Sequence, residues 1–274
     1  MRRTWVSYPY IFWMVIFTVI PLMLLLYFSL TVSNGFTVQF SFANFKRFIE
    51  PIYLKVLIRS LFLAGISTAL CLLLSYPAAM FLADRKLNHK NTLILLLVLP
   101  MWMNFLLRTY AWLTILERKG LINTLLDYIG IAPLNLLYND FAVLLGMVYN
   151  FLPFMVLPIY SVLSKIDNSL IEAAEDLGAT PLQTFLKVTF PLSLPGVTSG
   201  ITMVFMPAVT TFVISRLLGG GQYTLIGNLI EQQFITVGDW NFGSAISVVM
   251  MMIILIGMGF TSRYEKEQEG GGLW

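Results

Sequence analysis

A helix needs about 20 consecutive, mostly apolar residues to cross a hydrocarbon core roughly 30 Å thick at about 1.5 Å per residue. This chain reaches that length six times, over residues 8–30, 61–82, 93–116, 141–163, 195–214 and 244–261. Lipid offers no hydrogen bonds, so each run must satisfy its own backbone, and runs of this length do so as helices. The expected fold is therefore an all-α polytopic membrane protein with six transmembrane helices in a single domain, 1–274. Composition agrees: 58% of the residues are apolar and 11% charged, against about 25% charged in ordinary soluble domains. The first run follows Met1-Arg2-Arg3, but it is too long for a secretory leader and no small-x-small cleavage site follows it, so it reads as an uncleaved span.

Lys and Arg near span ends collect on the cytoplasmic side. Arg2, Arg3, Arg85, Lys86, Lys90, Lys165, Lys187, Arg263 and Lys266 fall on one side, and Lys46, Arg47, Lys55, Arg59, Arg118 and Lys119 on the other. The tight turn "DRKLNHK" and both ends of the chain vote together, which puts both termini and the segment 164–194 in the cytoplasm. The external connections 34–60 and 117–140 are long enough for short surface helices. The third, 216–243, joins three glycines to an amphipathic pattern, "LIGNLIEQQF". The tail 264–274 is polar and Gly-rich and is expected to be disordered.

No catalytic constellation is present. The chain lacks G-x-x-x-x-G-K-[ST], H-E-x-x-H and any Cys/His pair; Cys71 is its one cysteine and His89 its one histidine. ATP binding and metal hydrolysis therefore do not reside here, and no cofactor or metal is expected in this chain. Nothing in it suggests nucleic acid.

The segment "SLIEAAEDLGATPLQTFLKVTFPLSLP", 169–195, is polar and full of helix-boundary residues, yet it lies between two oily runs. Ser169 and Glu172 have the spacing of a capping box. Leu170, Ala173, Ala174 and Leu177 follow at helical spacing on one face. Gly178 stands where a helix commonly ends in a left-handed residue. Thr180, Pro181 and Gln183 spell a second helix start, and that helix is expected to stop before Pro191. Two short capped helices joined at a glycine suit docking into a groove of a partner, although lying along the membrane surface is also open.

"EAAEDLG", nine residues, then "VTFP" resembles the EAA loop of the permease subunits of binding-protein-dependent ABC importers. Val188 and Phe190 depart conservatively from that family's Ile and Leu, while Glu172, Ala173, Ala174, Gly178, the spacing and Pro191 match. The resemblance covers the whole chain and implies a type I importer permease fold in which Ile171, Glu172, Ala173, Ala174, Leu177, Gly178 and Pro191 belong to a coupling helix and its flanks. It further implies two cytoplasmic ATPase subunits that bind ATP and Mg, a second homologous permease subunit, an extracytoplasmic substrate-binding protein, and residence in a bacterial inner membrane. "PMWMNFLLRTYAWLTIL", "YNFLPFMVLPIYSVL" and "GDWNFGSA" resemble the spermidine/putrescine branch, with importers of ferric iron, sulfate or phosphonates sharing parts of them. A stand-alone secondary transporter is the rival from another class; it would show mid-membrane ionisable sites and two related halves, which are not evident.

A polyamine route should offer carboxylates and aromatic faces to ammonium groups. Candidates are Trp102, Asn104, Arg108, Tyr110 and Tyr149 along the spans, and Tyr223, Glu231, Asp239 and Trp240 in the last external segment. Arg216 would repel a cation unless a carboxylate neutralises it. Arg108 either faces protein or water, or snorkels to the headgroups. Pro153 and Pro158, flanking "FMVL", are the expected hinge.

Overall fold

The computed structural model describes residues 8–33, 38–84, 89–221 and 223–270. Arg2, Arg3, Arg85 and Lys86 of the topology argument, and 271–274 of the tail, lie outside the described residues. Among the described residues, five helices are long and apolar enough to cross a membrane, or six if two helices bent by 94° at Met103–Asn104 count as one broken span. The chain is a multi-pass membrane protein.

Helix α1, Tyr8–Ser29, contains a π-turn at Val15–Val19 immediately before Pro21. The wider turn spares the i−4 carbonyl a clash with the proline ring. A short antiparallel hairpin follows, β1 Thr31–Ser33 against β2 Val38–Phe40, and then α2, Ala43–Phe48. Helix α3, Pro51–Ala83, has 33 residues and begins ten residues before the expected span, because Pro51 sits in its first turn, where a missing N–H costs nothing.

The third expected span, 93–116, is not one helix. Helix α4 ends at Trp102 after starting at Lys90, and α5 runs Phe105–Leu116. Asn104 makes the break: its Oδ1 accepts from the amides of Leu106 (2.8 Å) and Leu107 (3.4 Å), so the chain restarts with a capped N-terminus. Helix α6, Leu121–Tyr128, lies beyond it.

Helix α7, Asp140–Leu163, is continuous through Pro153 and Pro158, where the hinge is expected. Pro153, Met155, Val156 and Ile159 are buried, so packing on both sides holds the axis together where the two prolines remove amide donors. Helix α8, Asn168–Asp176, and α9, Pro181–Thr210, follow. The expected stop before Pro191 does not occur. A π-turn at Phe185–Thr189 precedes it, and the helix passes through Pro191 unbroken to Thr210. Helices α10, Val213–Leu218, and α11, Ile226–Glu231, build the last connection. The final helix, α12, runs Trp240–Gly270, so its backbone is helical over 264–270, where composition suggests a disordered tail.

The core is the mutual packing of α3, α7 and α9, with α12 bridging α9 and α1. Small and weakly polar residues let these axes approach. A Cβ on Gly196 would fall 2.8 Å from the Pro158 carbonyl oxygen, and one on Gly200 would fall 2.6 Å from Met155 Sδ. On the other face of α7, Cys71 and Ser75 of α3 donate to the carbonyls of Val148 and Leu152.

Candidate coupling surface and translocation path

The segment between α7 and α9 carries the coupling candidates. Its first helix is capped by Asp167, whose Oδ1 accepts from Ser169 N at 3.1 Å. The expected Ser169–Glu172 box is therefore not the cap: the helix starts two residues earlier than that pattern requires, and Asp167 takes the amide. The C-terminal end follows expectation. Gly178 has φ +81°, its N–H donates to the Glu175 carbonyl at 2.8 Å, and Ala179 N donates to the Ala174 carbonyl at 3.0 Å. That pair of bonds is a Schellman motif. The next start is also as expected: Thr180 and Gln183 cap each other reciprocally, with Pro181 in the first turn.

Helix α8 buries none of its residues. Ile171 and Ala174 are half-buried toward the protein, while Glu172, Ala173 and Gly178 are exposed. Leu170 is 49% and Leu177 89% exposed, which leaves an apolar stripe with small Ala173 at its centre facing away from the bundle. Behind the helix, Ile171 and Asn168 close one side of a pocket of about 300 Å³ whose other walls include Met80, Leu163 and Thr189. From Thr180 onward the chain is helical without interruption into the membrane. Its entry is clamped by Tyr76 of α3: the phenol oxygen lies 2.7 Å from Ser193 Oγ, and the ring packs against Phe185 and Phe190.

The structure divides the path candidates into separate groups. Around the 94° bend, Trp102 is 80% exposed and Asn104 is the cap already described. Tyr110 is exposed, and Tyr149 meets Trp112 edge-on at 5.3 Å. Arg108 is 7% exposed; its guanidinium lies 5.9 Å from the Phe105 ring centroid, and its Nε has no hydrogen-bond partner. The snorkelling alternative therefore does not describe it.

The second group lies in the connection before α12. Glu231 pairs with Arg216 at 2.6 Å, so the repulsion expected from that arginine is neutralised. Both line a pocket of about 230 Å³ with Tyr223 and Asn228. The Tyr223 ring is covered by Arg59, 4.3 Å above its centroid, and Arg59 in turn pairs with Asp140 at 2.8 Å. Asp239 does not join Glu231. One of its oxygens pairs with Arg47 at 2.8 Å, and the other caps α12 by accepting from Phe242 N at 3.0 Å. Burial disfavours the Arg47 charge, but hydrogen bonds with Tyr53 and Asp239 outweigh it and hold its pKa above the ordinary value. Arg47 also stacks 4.1 Å over the Phe242 ring. Trp240 is exposed and packs on Phe28 and Phe234.

Sequence reading missed the partners of Arg47 and Arg59, since Arg47 and Asp239 are 192 residues apart and Arg59 and Asp140 are 81 apart. It also missed the Gly196/Gly200 contact, although the spacing of two glycines four apart was visible. Among the described residues, no three His, Cys, Asp or Glu side chains converge as metal ligands.

Residues 1–266 match the family described as "Binding-protein-dependent transport system inner membrane component". The chain is 41% identical over 249 residues to "Spermidine/putrescine transport system permease protein PotB" of Escherichia coli (strain K12), covering 88% of this chain and 90% of that one. It is 39% identical over 251 residues to the protein of the same name from Haemophilus influenzae, covering 89% and 88%. In fold it is similar to a chain in the crystal structure of a bacterial alginate ABC transporter in complex with an alginate pentasaccharide-bound periplasmic protein. That match has a TM-score of 0.80 at 17% identity and covers 97% of this chain and 96% of the other.

Proposed function

The chain belongs to the family of binding-protein-dependent transport system inner membrane components, the permeases of ABC importers, and on that premise we propose that its cargo is a polyamine, spermidine or putrescine. It forms half of the translocation path, with a second, homologous permease subunit forming the other half. Two cytoplasmic ATPase subunits bind ATP and Mg, and an extracytoplasmic binding protein delivers the solute. The setting is a bacterial inner membrane with both termini in the cytoplasm. The sequence similarity to PotB proteins supports the polyamine assignment.

The observation that carries the coupling role is the exposed apolar stripe on α8, joined through a rigid Schellman turn to a helix that enters the membrane without a break. A short helix that fully buries none of its residues in its own chain gains stability from another surface. When that surface moves, the displacement passes through Gly178 and the Thr180–Gln183 box into α9, and from α9 through the Gly196/Gly200 contact into α7. Alternating access then follows from rocking one packed bundle against its counterpart, with no chemistry in this chain. A stand-alone secondary transporter would need ionisable coordination at mid-membrane, for which Arg108 alone is a poor start.

The test is co-purification of the tagged chain from its native membrane, followed by mass spectrometry and ATPase assay. The expected result is recovery of two ATPases' worth of nucleotide-binding subunit and a second permease, with ATP hydrolysis responding to loaded binding protein. Hydrolysis by the chain alone, or recovery without an ATPase, refutes the reading.

A further inference from the structure

We infer that the pocket at the 94° bend is a binding site for an anionic phospholipid, with Arg108 holding the headgroup phosphate. The pocket encloses about 310 Å³ between α3, α4, α5 and α7, and Leu74, Leu97, Leu145 and Leu152 are among its walls. Arg108 is the one charged side chain that lines it, and no carboxylate does. A guanidinium is charged at every physiological pH, and leaving one buried in hydrocarbon without a counter-charge is costly. Here it is nine-tenths buried, its Nε is without a hydrogen bond, and its nearest aromatic ring is at the edge of cation–π range. The site therefore calls for an anion with donor-accepting oxygens.

Charge and lining select which anion. The abundant anions of a bilayer are lipid phosphates, and each carries acyl chains that match leucine walls. Arginine is the side chain whose planar fork fits phosphate oxygens. A polycation is excluded by the same charge, so Arg108 belongs to a lipid site rather than to the cargo's route. The lining supports access from the bilayer: Leu74 and Leu96, which line the pocket, are exposed apolar residues. The break at Asn104 brings α5 into the site, since Arg108 and Trp112 beyond the bend line the same pocket as Leu96, Leu97 and Pro100 before it.

The experiment uses the complex as it purifies, stripped of lipid in mild detergent and then titrated with phosphatidylglycerol or phosphatidylcholine, with bound lipid counted by native mass spectrometry. Wild type is expected to retain phosphatidylglycerol about tenfold better than phosphatidylcholine, a difference of about 1.4 kcal/mol. Arg108→Gln should abolish the preference and Arg108→Lys should restore part of it. Leu97→Trp, which fills the pocket and keeps the charge, should lower phosphatidylglycerol retention to a similar extent and decides the matter if Arg108→Gln fails to assemble. Equal retention of both lipids by wild type, an unchanged preference in Arg108→Gln or Leu97→Trp, or a carboxylate of the second permease found against Arg108 in the complex overturns the inference.

Discussion

Leu177 offers the cleanest perturbation of the coupling surface, because it is 89% exposed and has almost nothing to lose within its own chain. It occupies the C-cap of α8, where its backbone N–H donates to the Ala173 carbonyl at 3.2 Å, so a change of side chain to alanine leaves the backbone bonds of the Schellman turn in place. If a partner groove buries this side chain, Leu177→Ala removes roughly three methylene-sized groups at about 0.8 kcal/mol each, or about 2.4 kcal/mol of docking energy. That corresponds to roughly a 60-fold weaker association of the ATPase with the permease. The assay is a binding titration of the purified ATPase subunit against the detergent-solubilised permease pair, alongside thermal unfolding of the pair. Affinity should fall by that factor while the melting temperature stays within a degree or so. Leu121→Ala, a comparably exposed leucine on α6 at the other end of the molecule, serves as the control and should change neither. An affinity for Leu177→Ala within about twofold of wild type would show that the exposed stripe is not the docking face.

Gly178→Val should cost on the order of 1–2 kcal/mol locally, because the position has φ +81° and a Cβ there meets nothing, so the penalty is conformational rather than steric; transport should collapse at equal membrane expression, checked by uptake in cells. Gly200→Leu should lower thermal stability by about 1–3 kcal/mol or more, since even its Cβ falls 2.6 Å from Met155 Sδ, whereas Gly257→Leu, with open space around it, should be silent in the same melt. Glu231→Gln combined with Asp239→Asn should lower spermidine uptake while leaving assembly intact. The two ion pairs are half-exposed and worth only about 0–1 kcal/mol each, so unchanged uptake would remove both carboxylates from the route.

What was legible in the sequence is what is decided locally. Run lengths announced the spans, and Gly178 with Thr180, Pro181 and Gln183 announced the join, because a left-handed residue and a capping box are settled by their immediate neighbours. Where two local signals competed, the pattern was ambiguous. Asp167 and Ser169 can both cap, and it is Asp167 that accepts the Ser169 amide. Hydropathy carried the third span straight through Asn104, whose capping bonds outweigh continuity there. Proline misled at Pro191, which follows a widened turn and does not end its helix. The path residues were least legible. Whether a carboxylate is free for cargo depends on an arginine far away in the chain, as with Arg47 and Asp239, and no spacing rule encodes that.

Uptake of labelled spermidine or putrescine into proteoliposomes tests the central claim most directly. The vesicles would hold this chain, its permease partner and the ATPase, with loaded binding protein outside and ATP inside. The account predicts accumulation that requires ATP, the binding protein and an intact α8, and that is lost in Gly178→Val at equal incorporation. Polyamine uptake by this chain without the ATPase, or an ATP-driven complex that moves no polyamine, would contradict it.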